Sequence, residues 1–402
     1  GHWGALPDRL AEWGVGANWI QHYLESSVVP STGVALEWVA RFNARAEREG
    51  FHTFIDGYIS APIVARAVRR WFRLQRCARR LGGIENAFRP RNRQVWLWPV
   101  VRDEWRASMS GPVSVNNLLW LEQCDQALAA LPRQVKGAFL CENQSWERAL
   151  VWAWRKHGHG ELIGYSHSTV RFWDLRCYDD PRTLASTDPL ASPQPDRFAV
   201  NGPAAMEALR AFGPVPSRVV ECEALRYDYL RGLRHRTAAP AKDGAIRLLV
   251  LGDFDAAATA GMLRLLETAV RLAGVPVRCG MKSHPNFTVN PADYPSLGLV
   301  SIEQPIADVL AHWDVAFTSN TSSAAVDALL AGLAVAVMLD DSTLNFSPLR
   351  GHASARFVSS PEALRDALLE SRPLDAAPGA EEFFHLDPAL PRWQRLLGAE
   401  AR

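Results

Sequence analysis

The second half of the chain alternates apolar runs of strand length with segments of helical spacing, and this alternation constrains the fold most strongly. The run IRLLVLG at residues 246–252 is the clearest strand, and helical spacing follows it at residues 259–272. Apolar runs that are each followed by a helix are typical of a parallel sheet with both faces covered. We therefore predict an α/β fold. The other predicted strands here are residues 275–281, 297–302, 315–319, 335–339 and 355–358, and the other predicted helices are residues 306–312, 322–331 and 361–369.

The first half contains a less regular form of the same pattern. Ser145 and Thr259 are the expected N-caps of two helices, because a hydroxyl can accept a hydrogen bond from a free N–H group of the first turn. The predicted strands are residues 95–101, 138–141, 162–165, 198–200 and 219–223, and the predicted helices are residues 33–49, 61–81, 116–131, 145–157 and 203–212.

Two α/β halves predict two Rossmann-like domains that face a cleft, in which ligands bind beyond the carboxyl ends of the strands. The segment RTAAPAKDG combines small residues, a proline and polar groups just before a strong strand, which is typical of a linker. We predict an N-terminal domain at residues 1–235, a linker at 236–244 and a C-terminal domain at 245–375. The tail at residues 376–402 is expected to pack back on the first domain.

Composition excludes several classes of protein. The chain has 402 residues, of which 48% are hydrophobic and 22% are charged, as expected for a globular protein with a large core. The net charge of +1 gives no global field that would attract nucleic acid, so we expect no nucleic-acid partner. Six cysteines without a CxxC pair favour a reducing compartment, and no apolar run reaches the roughly 18–20 residues of a membrane span. We expect a cytoplasmic protein.

Two polar segments follow predicted strands of the C-terminal half. The first, KSHPN, places Lys282, His284 and Pro285 in a turn, and the second, SNTSSAAVDALLAG, begins a helix with hydroxyls. The free N–H groups and the dipole of a helix start favour an anion, and Ser322 and Ser323 add hydroxyl donors there. The pair predicts a phosphate site that needs no metal. A hydroxyl-capped helix without any ligand explains the second segment equally well.

This order of motifs resembles bacterial glycosyltransferases of the GT-B type that use CMP-activated sugars, including sialyltransferases and Kdo transferases. The resemblance implies that His284, Ser322 and Ser323 contact cytidine monophosphate, with Lys282, Pro285 and Thr321 beside them. The segments CENQSWERAL, GYSHSTVRFWDLRCYDDP and ECEALRYDYL are similar to the retaining β-Kdo transferases of surface-polysaccharide assembly, which build lipopolysaccharide O-antigen or capsule. Under this resemblance the first domain is the acceptor side and the second binds the nucleotide sugar.

The resemblance also implies a reaction. Transfer of Kdo from CMP-β-Kdo with retention by double displacement needs an enzymic nucleophile and an acid/base. Asp253, which directly follows the strongest strand, is the predicted nucleophile, and Asp255 is the alternative. Glu142, at the end of the strand 138–141, is the predicted acid/base. Further sugar or acceptor contacts are predicted for Gln144, His167, Ser168, Arg226 and Asp255, with Arg226 pairing the carboxylate of Kdo.

Each of these residues has a plainer interpretation. Asp253 and Asp255 also match the DxD motif that binds a metal and a diphosphate, or they cap a helix; Glu142 complements a helix dipole, and Arg226 forms a structural ion pair. A monophosphate leaving group requires less help from a divalent ion, so neither metal nor other cofactor is expected. A sialyltransferase, another nucleotide-sugar transferase and a non-catalytic glycan-binding or assembly module remain open as alternatives.

Basic and aromatic residues accumulate in the first half. Fifteen tryptophans serve either a large core or an aromatic platform for sugars. The arginines near Trp71 and Phe72 form either a solvated helix face or a patch for anionic lipid or a lipid-linked acceptor at the inner membrane surface. These arginines are Arg69, Arg70, Arg73, Arg76, Arg79, Arg80, Arg89, Arg91 and Arg93.

Overall fold

The computed structural model describes residues 2–26, 28–44, 50–89, 94–177, 193–213, 215–233, 243–340, 343–371 and 377–399. The chain forms two compact units. Unit 1 comprises Gly1–Pro7, Tyr165–Tyr178 and Ala199–Gly398, and unit 2 comprises Asp8–Gly164, Asp179–Phe198 and Ala399–Arg402. The predicted linker lies almost entirely outside the described residues, and the predicted domain boundaries stay a prediction.

The regular elements are numbered here in chain order. The strands are β1 (Trp19–Gln21), β2 (His52–Phe54), β3 (Lys136–Leu140), β4 (Glu161–Tyr165), β5 (Arg197–Val200), β6 (Val219–Glu221), β7 (Ile246–Leu251), β8 (Val277–Lys282), β9 (Val300–Ser301), β10 (Val315–Ser319), β11 (Ala334–Met338) and β12 (Ala355–Val358). The α-helices are α1 (Leu6–Glu12), α2 (Thr32–Asn43), α3 (Ala61–Arg80), α4 (Trp98–Ser110), α5 (Pro112–Ala130), α6 (Ser145–Lys156), α7 (Pro203–Phe212), α8 (Ala256–Ala273), α9 (Ile306–Val309), α10 (Ala324–Leu330), α11 (Pro361–Leu369) and α12 (Pro391–Leu397).

Unit 1 contains a six-stranded parallel sheet, which confirms the predicted α/β class. The strand order is β12-β11-β10-β7-β8-β9, and each neighbouring pair is parallel. The first strand of this half, β7, lies beside the fourth, β10, with Val315 opposite Leu248. The chain reverses its direction of travel across the sheet at this pair, and open parallel sheets bind their ligands beyond the carboxyl ends of the strands at such a point.

Alternate residues of the central strands enter two hydrophobic clusters, as expected for a sheet that is buried on both faces. Leu249 and Leu251 pack with the residues of α10, whereas Leu248 and Val250 pack with those of α8 and α11. The continuous apolar composition of IRLLVLG follows from this double burial. A separate four-stranded sheet has the order β3-β4-β5-β6.

Unit 2 has its core between α5, α6 and the strands β3 and β4. Ala127, Ala153 and Leu162 are almost fully buried there. The predicted strand at residues 95–101 is wrong, because Trp98–Ser110 forms the helix α4 with a proline in its first turn. The run VWLWPVV is short and apolar throughout, so periodicity alone does not separate a buried strand from a helix start.

The two predicted N-caps are also corrected. Helix α6 begins at Ser145, as predicted, but its N-cap residue is Gln144, and the Ser145 hydroxyl instead donates to Asn117 Oδ1 at 2.7 Å. Helix α8 is capped by Asp255, whose carboxylate accepts hydrogen bonds from the N–H groups of Ala257 and Ala258. Within the described ranges, none of the helices combines the length and the apolar character that a membrane crossing requires.

Candidate functional site

Polar side chains join the carboxyl ends of β7 and β10 in unit 1. The Asp253 carboxylate, which is 3% exposed, accepts hydrogen bonds at Oδ2 from the hydroxyls of Ser319 and Thr321. Its Oδ1 accepts the backbone N–H of Asp255 at 2.8 Å. Three donors therefore satisfy a buried carboxylate, as burial of a charged group requires. Two motifs that lie more than sixty residues apart in the sequence meet at the switch point of the sheet.

The loop after β7 is held from within. Thr259, the expected N-cap, instead accepts the N–H of Asp253 at 3.0 Å, and its hydroxyl lies 3.2 Å from the Asp255 carbonyl oxygen. Thr259 is itself buried. Asp255 is exposed and caps α8, so this aspartate has the helix-capping role that was the alternative to a catalytic one. The two carboxylates consequently have different environments: one is enclosed, and the other lies at the surface.

The His-Pro turn lies at the neighbouring strand end, beside the loop of β7. The N–H of Gly252 donates to the carbonyl oxygen of Lys282 at 2.9 Å, and a Cβ on Gly252 would lie 3.3 Å from the backbone nitrogen of His284. The N–H of Asn286 donates to His284 Nδ1 at 3.2 Å. This places the proton of the neutral imidazole on Nε2, which can then donate to a ligand.

The other predicted residues of this turn have different surroundings. The ammonium of Lys282 donates to the carbonyl oxygens of Ile302 and Glu303, each at 3.2 Å, and so fastens the segment after β9. Pro285 is exposed in the turn. The structure thus brings the backbone of His284 beside Gly252 at the end of β7, whereas the charge of Lys282 is directed to backbone carbonyls.

The hydroxyl segment after β10 begins its helix two residues later than predicted. The helix α10 starts at Ala324, and Ser323 is its N-cap residue without a capping hydrogen bond from the side chain. Ser322 and Ser323 are half-buried. The Ser323 hydroxyl interacts with the phenol of Tyr227, whose pKa is raised mainly by burial and is lowered in part by this contact. The serine hydroxyls are therefore not used to cap α10.

Arg171 supports this segment, and the sequence analysis did not single it out. Its Nη1 donates to the carbonyl oxygen of Thr321 at 2.8 Å, and its Nε donates to Thr169 Oγ1 at 3.3 Å. Burial lowers the pKa of its guanidinium. The signal in the sequence was an arginine within the quoted segment GYSHSTVRFWD, but no spacing rule connects residue 171 with residue 321.

Two of the predicted sugar contacts, His167 and Arg226, lie in unit 1. His167 is 6% exposed, and burial lowers its pKa to about 4, with smaller contributions from the charges of His2, Arg226 and Arg176. The ring is therefore neutral at pH 7. The guanidinium of Arg226 is exposed and lies 5.9 Å from the centre of the Tyr227 ring. Among the described residues, no carboxylate forms an ion pair with Arg226.

Ser168 lies beside these residues and has a structural contact. Its carbonyl oxygen accepts a hydrogen bond from Asn201 Nδ2 at 3.0 Å. Asn201 is almost fully buried, and its own carbonyl accepts the N–H of His385 at 3.1 Å. The backbone of Ser168 is thereby fixed, while its side chain is half-buried.

A buried acid lies in the next turn of α10. Asp327 is 5% exposed, and the Tyr229 hydroxyl donates to its Oδ2 at 2.8 Å, while its Oδ1 has no hydrogen-bond partner among the residues that the structure describes. Burial raises the pKa of Asp327 to about 6, and the contact with Tyr229 and the charge of Arg226 oppose that rise. An acid with this pKa changes its charge close to neutral pH.

In unit 2, the loop that carries Glu142 wraps around a second buried acid. Glu147 is 3% exposed, and its carboxylate accepts the N–H groups of Glu142 at 2.7 Å and Asn143 at 3.0 Å. Burial raises the pKa of Glu147, and these N–H groups oppose the rise. Asn143 has a φ of 60°, the left-handed conformation that turns the chain sharply after β3. Glu147 thus positions Glu142, while Gln144 is exposed at the start of α6.

Comparison with known proteins gives distant similarity only. No protein-family model and no curated protein matches the chain. Among solved structures, CalG4, the calicheamicin glycosyltransferase, is 14% identical over 99% of this chain and 92% of that chain, with a TM-score of 0.48. UGT89C1 of Arabidopsis thaliana, solved with UDP, is 12% identical over 91% and 86%, with a TM-score of 0.44. A glycosyltransferase from Rickettsia africae ESF-5 is 9% identical over 98% and 94%, with a TM-score of 0.45. Similarity at this distance does not assign a function to the chain.

Proposed function

We propose that the protein is a GT-B glycosyltransferase that binds a CMP-activated sugar at the switch point of unit 1. In this proposal it transfers Kdo with retention to a glycan acceptor of surface-polysaccharide assembly. The observation that carries the proposal is the meeting of the loops after β7 and β10 through Asp253, Ser319 and Thr321. Ligands of open parallel sheets bind beyond the carboxyl ends of the strands at such a point.

The groups around this point fit a nucleoside monophosphate. The half-buried hydroxyls of Ser322 and Ser323 can donate to phosphate oxygens, and His284 can donate from Nε2. Arg226 is exposed and can bind the carboxylate of a keto-acid sugar with two parallel hydrogen bonds. The proposed ligand therefore carries two anionic groups, a phosphate and a carboxylate.

The proposed chemistry proceeds in two displacements. An Asp253 carboxylate oxygen bonds to the anomeric carbon as the bond to CMP breaks, and the phosphate leaves with the electron pair. The acceptor hydroxyl then attacks the same carbon and gives its proton to a general base, the role that the sequence predicts for Glu142, and the bond to Asp253 breaks. Oδ2 already accepts two hydroxyls and Oδ1 accepts one N–H, so the attacking lone pair is the second one of Oδ1, or one of Oδ2 after Ser319 or Thr321 releases it.

Metal independence stays a prediction of this proposal. Within the residues that the structure describes, no group of three or more His, Cys, Asp or Glu side chains is arranged to hold a metal ion. We expect transfer to continue at an unchanged rate in excess EDTA. Loss of activity in EDTA that Mg²⁺ or Mn²⁺ restores would favour the DxD interpretation of Asp253 and Asp255 instead. A cytoplasmic location also remains part of the proposal, because the described cysteines are free thiols.

The test is calorimetric titration with CMP, UDP and GDP, followed by an assay for CMP release from CMP-Kdo with a panel of acceptors. We expect CMP to bind most tightly, and the double change Ser322→Ala and Ser323→Ala to weaken CMP at least about 10-fold. The exposed Ser301 on β9 provides the matched control, Ser301→Ala. Preference for UDP or GDP, or equal loss in the control, would contradict the donor assignment.

The same assays separate the alternatives. Release of CMP from CMP-sialic acid but not from CMP-Kdo would indicate a sialyltransferase. Sugar binding that is indifferent to nucleotide and to both Asp253→Asn and Glu142→Gln would indicate a non-catalytic binding module. If none of the tested donors releases CMP although the protein still binds CMP, the proposal is limited to nucleotide binding.

A further inference from the structure

Helix α3 of unit 2 carries a strong and one-sided positive charge. Its 20 residues include seven arginines and no acidic residue. On the packed side, Ile63 and Ala67 are buried, and Arg66 and Arg70 both pair with the buried carboxylate of Glu122. The remaining five arginines are exposed, and within the described ranges none of them forms an ion pair. These five are Arg69, Arg73, Arg76, Arg79 and Arg80.

The exposed side of α3 also carries an apolar stripe. Val64, Val68 and Phe72 follow one another at intervals of four residues and are 44%, 47% and 55% exposed. Residues at this spacing lie on one face of a helix, one turn above another. Isolated exposed apolar residues are common on protein surfaces. Three exposed apolar side chains aligned on one helix face are unusual for a face that contacts only water.

The helical period places the charges beside this stripe. At 100° per residue, Arg76 and Arg69 lie on the same side of the helix as Phe72, and Arg79 lies between Val68 and Phe72. Long arginine side chains can extend from such positions and direct their guanidinium groups to a polar layer while their stems contact apolar surface. The exposed side therefore offers an apolar stripe, with Arg79 within it and the other exposed arginines along one flank.

We propose that the exposed side of α3 docks on the surface of an anionic lipid bilayer. The arginines bind headgroup phosphates, and Val64, Val68 and Phe72 enter the boundary between headgroups and acyl chains. A basic helix with an apolar face lies in this interface and binds more strongly as the fraction of anionic lipid rises. A nucleic acid would supply phosphates but no apolar phase for two valines, and the net charge of +1 provides no wider field for it.

This inference is independent of the proposed sugar transfer, because it concerns a helix of unit 2 and no residue that is assigned to catalysis. It is tested on the full chain by co-sedimentation with vesicles. One set contains phosphatidylcholine only, and the other contains phosphatidylcholine and phosphatidylglycerol in a ratio of about 2:1. We expect binding to the anionic vesicles, weakened by salt, and little binding to the neutral ones.

Two variants separate the charged and the apolar contributions. The triple change Arg73→Gln, Arg76→Gln and Arg79→Gln should weaken binding to anionic vesicles about 100-fold, since each cation near the surface contributes roughly 1 kcal/mol. The double change Val68→Asn and Phe72→Asn should weaken binding at every salt concentration. All five positions are exposed, and circular dichroism verifies that the variants fold.

The matched control removes three exposed arginines elsewhere. Arg264→Gln, Arg271→Gln and Arg395→Gln cause the same change in net charge and should leave binding unchanged. Equal loss in this control, or absence of binding to anionic vesicles, overturns the proposal. Full displacement of the vesicles by a single-stranded RNA, with no effect of the Val68 and Phe72 changes, also overturns it and identifies a nucleic-acid surface.

Discussion

The Thr321 hydroxyl donates a hydrogen bond to the Asp253 carboxylate and so connects the loops after the two central strands of the parallel sheet. The backbone of Thr321 is held independently, because Arg171 donates to its carbonyl oxygen at 2.8 Å. The same carboxylate also accepts the hydroxyl of Ser319. The position of the proposed nucleotide site therefore depends on contacts between segments that are distant in the sequence.

Removal of the Asp253 charge should stop transfer. The change Asp253→Asn keeps the volume and the acceptor for the Asp255 N–H, so we expect CMP to bind with an affinity within about threefold of the original. Transfer from CMP-Kdo should fall at least about 1,000-fold if this oxygen is the nucleophile. The exposed Asp308→Asn serves as the control. Full activity of Asp253→Asn together with an inactive Asp255→Asn would move the nucleophile to Asp255.

Loss of the Thr321 hydroxyl should loosen the loop without removal of any charge. In Thr321→Val the shape is kept, Asp253 loses one of three donors, and the free energy of unfolding should fall by about 1 kcal/mol. Urea unfolding measures this change, and calorimetry should show weaker binding of CMP. A variant with normal stability and normal CMP affinity would mean that the contact has no role in forming the site.

Stability should depend on pH through Asp327. Its folded pKa of about 6 lies above the ordinary aspartate value of 3.8, so between these values the folded protein holds more protons than the unfolded chain. The contribution of this group to stability therefore falls as the pH rises from about 4 to 6 and stays low above that. We expect Asp327→Asn to raise the free energy of unfolding at pH 7.5 by roughly 1–3 kcal/mol.

The control for this prediction changes Tyr229, whose hydroxyl donates to the same carboxylate. Tyr229→Phe removes the hydrogen bond to Asp327 Oδ2 and should destabilise the protein most at pH 7.5, where the acid is charged. Urea unfolding at several pH values separates the two variants. An Asp327→Asn protein that is less stable than the original at pH 7.5 would show that the buried charge has a favourable partner.

Glu147 should affect catalysis through the position of Glu142. The change Glu147→Gln replaces one of the two acceptor oxygens with an NH₂ group, which only donates. The N–H of either Glu142 or Asn143 therefore loses its acceptor. We expect a stability loss of about 1–3 kcal/mol and a fall in kcat with a smaller change in KM. The exposed Glu104→Gln on α4 is the matched control. Normal kcat in a destabilised Glu147→Gln protein would separate this loop from the chemistry.

Local patterns in the sequence predicted much of unit 1. The strands β10 and β12 and the helix α11 have the predicted ends, because long apolar runs bounded by polar residues leave little choice of element. The run at residues 95–101 misled the prediction, since its first residues precede a helix whose proline is tolerated in the first turn. The N-cap at Thr259 was misplaced because Asp255, four residues earlier, is an equally good cap.

The partners of the candidate site could not be predicted from local patterns. The contact between Arg171 and Thr321 joins residues that are 150 positions apart, and that between Tyr229 and Asp327 joins residues 98 positions apart. Glu147 lies in the first turn of α6, but its carboxylate turns back to the preceding loop, which the sequence does not indicate. Hydrophobic periodicity and helix caps depend on residues that are close in the sequence. They therefore do not predict contacts between elements that are distant in the sequence.

The last described helix is tied to the middle of the chain. Glu223 accepts the N–H groups of Arg392 and Trp393, and the fully buried Trp393 donates from Nε1 to the carbonyl oxygen of Glu223 at 3.0 Å. A growing polypeptide on the ribosome emerges in order from its amino end. The pocket that receives the Trp393 indole therefore stays unfilled until some 170 further residues have been synthesised. Its apolar lining is accessible to chaperones during that interval.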